Sequence, residues 1–538
     1  MKKLILSFVI TLLVTSIGLA QNCLSSGITI TSQSQVNNFS TNYPGCTRTG
    51  GSVTINNITN LAGLSQITSI AGDLIIEANS SLNLNGLNNL ASIGGSLSIR
   101  HNSQLTSLSG LNNLTSIGRD FTFEYNHSVT DLNGLNNLNS IGRNLYIRYN
   151  NQLTSFSGIN NLGLIGNDVR IMSNPVLNSI ASLTNIYIIN NDLQIEGNPL
   201  LSSLTGLNNL TRVNRDFTIK SNNSLSNLQG LNNLTSSGRI LDIELNPNLT
   251  SLSGLGNLST ANDLRILNNQ NLPNLTGLIN LVSLSGELAI FGNTSLQTLT
   301  GIENLITISS MLKISNCYSL INLTGLSGLT SIGQAFEVTS NYAMVNLNGV
   351  NNLSSIKNLY ISNCHGLQNL SGLESVTNMN NSPLTISSNN NITSLNGIQN
   401  IDYSTISNVT ITQNNLLSMC AVQSICNYLT NNNSNTNIQS SNDPGCNSRA
   451  EVIAMCSNLS IADNYNSSSI NLYPNPTADR VNINVSSDSL INIYNTLGQH
   501  IKEVQLSSGS NEINLDFLTS GIYFFRIGTN NLVKVLKK

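Results

Sequence analysis

Apolar residues recur along this chain on two periods, and the two alternate. In "FTFEYN" at 121–126 and "LYIRYN" at 145–150 they fall at every second position, which predicts short strands with one buried face. Between such segments they fall at every third position, as at Leu105, Leu108, Leu111, Leu114 and Ile117. That spacing suits a tight or 3₁₀-like path that drops one side chain inward at each bend. Aligned on the pattern Ile-x-x-Asn-x-x-Leu, the unit returns every 23 to 25 residues, mostly 24. Its polar slot holds Asn79, Asn102, Asn126, Asn150, Asn174, Asn198, Asn222, Asn246, Asn269, Asn293, Cys317, Asn341, Cys364, Asn389 and Asn414. Fifteen units in phase predict a β-solenoid, one coil per unit.

The coil assigns roles to its polar residues. A side-chain amide both donates and accepts, so stacked asparagines can satisfy turn backbone groups from coil to coil. The Asn-Asn of each Leu-Asn-Asn-Leu reads as solvated turn chemistry outside a continuous leucine core. Gly110, Gly134, Gly158, Gly206, Gly230 and Gly254 share one phase, which predicts positive φ or a close backbone approach there. Ser182 replaces that glycine, and its coil, "NSIASLTNIYII", is expected to be the least regular. Cys317 and Cys364 lie two coils apart, nearly 10 Å at a strand spacing of ~4.8 Å. A disulfide needs Cα atoms within about 7 Å, so both are expected to be buried free thiols.

Composition narrows the class. Only 9% of the 538 residues are charged and the net charge is −3, which offers no basic field for a nucleic-acid backbone. "MKKLILSFVITLLVTSIGLA" has a positive start, an apolar run and a small-residue end, and predicts an export signal over 1–20. No other stretch is apolar for long enough to span a bilayer, so no transmembrane segment is expected in the mature chain. An N-terminal cap is expected over 21–56, the solenoid over 57–419, a Cys-rich cap over 420–460 and a polar linker over 461–469. The second cap carries Cys420, Cys426, Cys446 and Cys456, on segments such as "AVQSICNYLT" and "SRAEVIAMC" that suit short helices. Four cysteines allow three pairings, which the sequence leaves open; Cys420–Cys446 with Cys426–Cys456 is the expected set, and zinc its rival. Beyond the linker, "VNINV", "LINIYNTLG", "NEINLDF" and "GIYFFRIG" alternate as the strands of a small antiparallel sandwich.

Two resemblances follow from quoted motifs. "NLTSIGRDFTFEYN" and "NLNSIGRNLYIRYN" resemble the leucine-rich-repeat-like coils of the receptor L-domain family, over roughly 23–419. That resemblance implies a right-handed solenoid, binding at the sheet face, and an opening disulfide between Cys23 and Cys46. "LYPNPTADRVNINV", "IYNTLGQHI", "LTSGIYFFRI" and "VKVLKK" are similar to the type A C-terminal sorting domain of the Bacteroidota type IX secretion system. That similarity places a sorting domain over 470–538, with Tyr473, Pro474, Asn475, Pro476, Gly498, Gly521, Tyr523, Lys537 and Lys538 as its signal residues. It implies export by the Sec route, recognition at the outer-membrane translocon and its processing machinery, and residence at the cell surface or outside it.

Candidate binding residues come from the strand alternation. Outward positions gather charge, at Arg100, Glu124, Arg148, Arg170, Glu196, Lys220, Glu244 and Arg265 among others, and a second set lies just before each strand. In the early coils Arg100, His101, Tyr125, Tyr146, Arg148, Tyr149, Arg170 and Met172 are expected to project from adjacent strands. Aromatic and arginine side chains anchor protein contacts and stack on sugars. Catalysis has no support: the four histidines do not converge, and no HExxH, GxSxG or phosphate-loop pattern occurs. The reading is a non-enzymatic, surface-displayed protein without cofactor or metal, binding an extracellular protein or glycan. Its rival is a structural spacer of the cell surface or biofilm. Ice binding is set aside because the relevant slot, Thr115, Asn139, Gly163 and Thr211 onward, is irregular.

Overall fold

A computed structural model describes residues 22–431, 435–439, 441–463, 472–485, 487–496, 498–527 and 531–538. The export signal over 1–20 and most of the linker, 464–469, lie outside the described residues. The chain divides into two compact units, Met1–Val452 and Ile453–Lys538. The first is a parallel β-solenoid of about 17 turns.

One coil explains the rest. Its main strand, Leu145–Arg148, buries Leu145 and Ile147 and turns Tyr146 and Arg148 outward. It pairs in parallel with Val169–Met172 in the next coil, Tyr146 opposite Arg170 and Arg148 opposite Met172. Each position therefore stacks on its own equivalent, and an apolar stripe in one coil continues in the next. The predicted three-residue bends are present: in the coil before, the amides of Leu111 and Leu114 donate to the carbonyls of Leu108 and Leu111 at 3.1 and 2.9 Å. Leu105, Leu108, Leu111, Leu114 and Ile117 are all buried.

The asparagine slot is a hydrogen-bonded column. Asn150 is fully buried. Its Oδ1 accepts from the backbone amide of Asn126, one coil earlier, at 3.0 Å. Its Nδ2 donates to the carbonyls of Phe123 and Arg148 at 3.1 and 3.0 Å. The amide thus satisfies groups that the tight turn removes from both water and the strand ladder. The column reaches one residue beyond the fifteen read from the sequence: the backbone amide of Asn414 donates to Oδ1 of Asn442 at 2.9 Å. Asn442 escaped the alignment because the cap delays it to 28 residues, outside the period.

Cys317 and Cys364 are the expected buried free thiols. Their sulfurs sit 3.5 Å from the carbonyls of Ser315 and Ser362, the acceptors an asparagine Nδ2 would take. Burial pushes the two thiols up to about 12 and about 11. Both therefore stay protonated and keep that weak S–H donor.

The Leu-Asn-Asn-Leu turns are more ordered than solvated turn chemistry requires. Oδ1 of Asn136 accepts from the amide of Gly134 at 3.1 Å, inside its own turn. Nδ2 of Asn137 reaches back one coil to the carbonyl of Asn112 at 2.7 Å. A second, exposed amide column therefore runs along the stack, about half a coil in sequence from the buried one. Gly134 combines both predicted reasons for glycine: φ is +116°, and a Cβ there would lie 2.3 Å from the carbonyl oxygen of Leu108. At Ser182 the chain instead closes a 3₁₀ helix, Ala181–Leu183, which is the expected irregularity.

Two local features were not foreseen. A two-residue strand precedes the main strand in many coils, as at Ser140–Ile141, and the early ones form a separate six-stranded parallel sheet. Two residues are too few to show alternation. In addition, the residue just before each of the fifteen slot positions is left-handed, with φ of +52° to +60° at the non-glycine ones, among them Ala78, His101, Tyr125, Tyr149, Ser173 and Ser221.

The caps extend the sheet beyond 57–419. Ile28–Ile30 pairs with Val53–Ile55 at one end, and Thr436–Ile438 pairs with Val409–Ile411 at the other. Disulfides join Cys23 to Cys46 and Cys420 to Cys446, with Cα atoms 5.5 and 5.7 Å apart. Cys426 and Cys456 are disulfide-bonded as well. Helix Gln423–Thr430 buries Ile425, Tyr428 and Leu429 over the last coils. A second helix, Arg449–Asp463, covers the first residues assigned to the linker.

In the C-terminal unit, Arg480–Val485 pairs with Gly509–Asn514, and a four-stranded antiparallel sheet holds the other strands. Val481, Ile483, Ile491, Ile493, Tyr523, Phe525 and Val535 form its core. His500–Leu506 and Asn531–Lys537 are strands that the alternation did not single out.

Two measurements test these packing arguments. Replacing Asn150 by Leu strands the Asn126 amide and two carbonyls, so denaturant unfolding should report a loss of about 2–4 kcal/mol. Asn150→Cys should lose clearly less; equal losses would mean that the slot works by shape alone. Gly134→Ala should cost at least about 2 kcal/mol. Gly256→Ala, where a Cβ meets nothing within 4 Å, should be close to neutral.

Candidate functional site

The residues expected to form one patch separate into two groups, because the strand ends between them. Arg100, Tyr146, Arg148, Arg170 and Met172 lie on strands and turn outward. His101, Tyr125 and Tyr149 do not project from strands. Each is the first residue past one, in the left-handed conformation, and this corrects the expectation. Small or amide residues suit that position, so bulky aromatic side chains there are strained by about 1–2 kcal/mol apiece. They stack along the solenoid: His101 on Tyr125 at 4.7 Å between ring centroids, and Tyr125 on Tyr149 at 4.9 Å, both nearly parallel. A stack of this kind returns roughly 0.5–1.5 kcal/mol per pair, comparable with the strain.

On the sheet face Tyr146 is the centre. The guanidinium groups of Arg148 and Arg170 lie 5.4 and 5.5 Å from its ring centroid. Its hydroxyl is 3.4 Å from Oδ2 of Asp168. Burial and, next, the Asp168 charge push the phenol above its ordinary value. Met172 pairs with Arg148 on one side and with Glu196 on the other. Nε of Arg100 and of Arg170 is buried and has no hydrogen-bond partner among the described residues.

Most face charges are already engaged between coils. Arg100 meets Glu77 at 3.0 Å, Arg148 meets Glu124 at 2.6 Å, Lys220 meets Glu244 at 2.8 Å and Arg265 meets Glu287 at 2.7 Å. Strand alternation locates these residues but cannot show that opposite signs fall on neighbouring coils in register. Asp242 keeps a buried oxygen, Oδ1, without a partner among the described residues. Burial and then Glu244 raise its carboxyl to about 6.

Sequence reading also missed a second aromatic column. Tyr318 stacks on Tyr342 at 4.9 Å, and Tyr342 on His365 at 5.2 Å. These rings follow the buried column residues Cys317, Asn341 and Cys364, whereas the first set precedes it. Their shared offset of 24 and 23 residues was the available signal.

In the C-terminal unit the signal residues tie two distant segments together. Nδ2 of Asn475 donates to the carbonyl of Lys534 at 2.7 Å, and its Oδ1 accepts from the amide of Leu536 at 2.9 Å. The amide of Lys538 donates to the carbonyl of Thr477 at 2.8 Å. Lys537 is buried, its Nζ 2.6 Å from Asp479. The Tyr473–Pro474 and Asn475–Pro476 peptides are cis. Tyr523 donates its hydroxyl to the carbonyl of Thr519 at 2.9 Å, in the loop before its own strand. Gly521 opens that strand, and Gly498, with φ +78°, turns the hairpin between Ser489–Tyr494 and His500–Leu506.

Residues 471–538 match the family described as "Secretion system C-terminal sorting domain". No curated protein matches the chain. Among the described residues no helix is long and apolar enough to cross a membrane. Because Asn475 clamps the last strand, Asn475→Ala should lower the stability of this unit by about 1–3 kcal/mol. Fractionated cells should then show less passenger outside; undiminished export of a destabilised variant would separate the clamp from sorting. The chain carries a type IX secretion sorting domain and is a secreted or cell-surface protein of a Bacteroidota-type bacterium.

Proposed function

We propose that the solenoid is a non-enzymatic binding module that engages an extracellular protein or glycan through the sheet face of its early coils. The observation that carries this reading is Tyr146 held between Arg148 and Arg170, beside the strained column of His101, Tyr125 and Tyr149. The left-handed position recurs in every coil, so the aromatic rings placed there, and not the backbone conformation, set the early coils apart. Recognition would be by complementarity over several coils, with Tyr146 as anchor and the paired charges setting register. No turnover is involved.

A structural spacer is the second reading. Its support is the cross-coil pairing of charges, which leaves the face largely self-satisfied and stiffens the stack. A glycan and protein array separates the two. The double change Tyr146→Ala with Arg148→Ala should weaken capture of the bound partner by about tenfold or more. If the chain captures nothing, or if the double variant adheres like the parent on every surface tested, the spacer reading replaces this one.

A further inference from the structure

A recess lies away from the aromatic columns, and its origin is an irregularity in the repeat. Asn246 and Asn269 are 23 residues apart where the neighbouring interval is 24. The lost residue comes from the bend. Ser237 pairs with Ala261 and Ile240 with Asp263, so two residues on one coil face a single residue on the next. The strands Ser236–Glu244 and Thr260–Leu267 run straight through this bend, which earlier coils break into two. A groove of about 470 Å³, open to solvent, forms at the joint, lined by Arg212, Asn214, Ser236, Ser237, Thr260 and Asn262 among others. That volume falls within the range of small-molecule sites, roughly 300–1,000 Å³.

The lining is polar and part of it is uncommitted. Asn262 is held in place, its Oδ1 accepting from Ser285 Oγ at 3.0 Å, and Ser237 donates to the carbonyl of Ile240 at 3.2 Å. Among the described residues the hydroxyls of Ser236 and Thr260 and Oδ1 of Asn214 have no protein partner. Other arginines nearby are engaged, Arg215 with Asp192 and Arg239 with Asp216. Arg212 is exposed, and among the described residues it meets no carboxylate. Hydroxyls and amides that donate and accept match sugar hydroxyls, and a free guanidinium matches a carboxylate through paired hydrogen bonds.

We infer that this groove binds an acidic sugar, with Arg212 on the uronate carboxylate and Ser236, Thr260 and Asn214 on ring hydroxyls. The site is independent of the sheet-face reading above. Calorimetric titration of the intact chain with trisaccharides of galacturonic, glucuronic and mannuronic acid tests it. At least one should bind saturably. Methyl esterification of that sugar, or Arg212→Gln, should weaken binding about tenfold or more, and Thr260→Val several-fold. Tyr146→Ala should leave it unchanged. The inference is overturned by an absence of saturable binding to all three, or by equal affinity for acid and ester. Full affinity in Arg212→Gln or in Thr260→Val also overturns it, as does equal competition by acetate, which would mark a bare anion contact. Loss on Tyr146→Ala with none on Arg212→Gln would assign the sugar to the sheet face instead.

Discussion

The buried asparagine column is the constraint on which the solenoid depends. Leucine burial supplies more free energy, roughly 1.5–3 kcal/mol for each side chain taken fully from water. That contribution is non-directional, and a core of similar aliphatic residues accepts many alignments. The amide does not. Asn150 fits only where a backbone donor one coil back and two carbonyls converge on it, and the same holds coil after coil. Hydrophobic burial closes the coil, and the asparagine fixes its register. The two cysteines in the column bear this out, since each offers a proton to the same kind of carbonyl acceptor.

Register, once fixed, determines the surface. Equivalent residues of successive coils become neighbours, so any side chain repeated at the unit length forms a row. Rows of like charge would repel, and the chain places Glu77 before Arg100, Glu124 before Arg148, and Lys220 before Glu244. Rows of aromatics attract, and among the described residues two occur, one on either side of the asparagine column in sequence. The face in the early coils is therefore a set of short rows whose composition changes along the stack, which gives different coils different surfaces.

Much of this architecture could be read from residues alone, because period, core positions and the asparagine slot are properties of single side chains repeated at fixed spacing. What escaped depends on backbone conformation or on pairs. The left-handed residue before the slot is Ala, Ser, Asn, Gln, Gly, Leu, His or Tyr in different coils, so side-chain identity does not mark it. Its consequence is that His101, Tyr125 and Tyr149, expected to project from strands, lie one residue beyond them. Tyr318, Tyr342 and His365 were overlooked because they sit outside the strands that drew attention to the first column. Asn442 was hidden by the cap, whose longer path breaks the period while preserving the bond. The sorting residues were legible as a motif, yet their role as a clamp between Asn475 and the last strand is a tertiary fact.

Since every coil meets only its two neighbours, and meets them at equivalent positions, the number of coils is free to change. Gain or loss of one 24-residue unit by slippage during copying of the gene would leave each surviving coil with the partners its amides require. Both caps would keep their disulfides and the sorting unit its clamp. Lineages could thus lengthen or shorten the recognition surface in whole steps, and drift in its decoration, without reinventing either the fold or the way out of the cell.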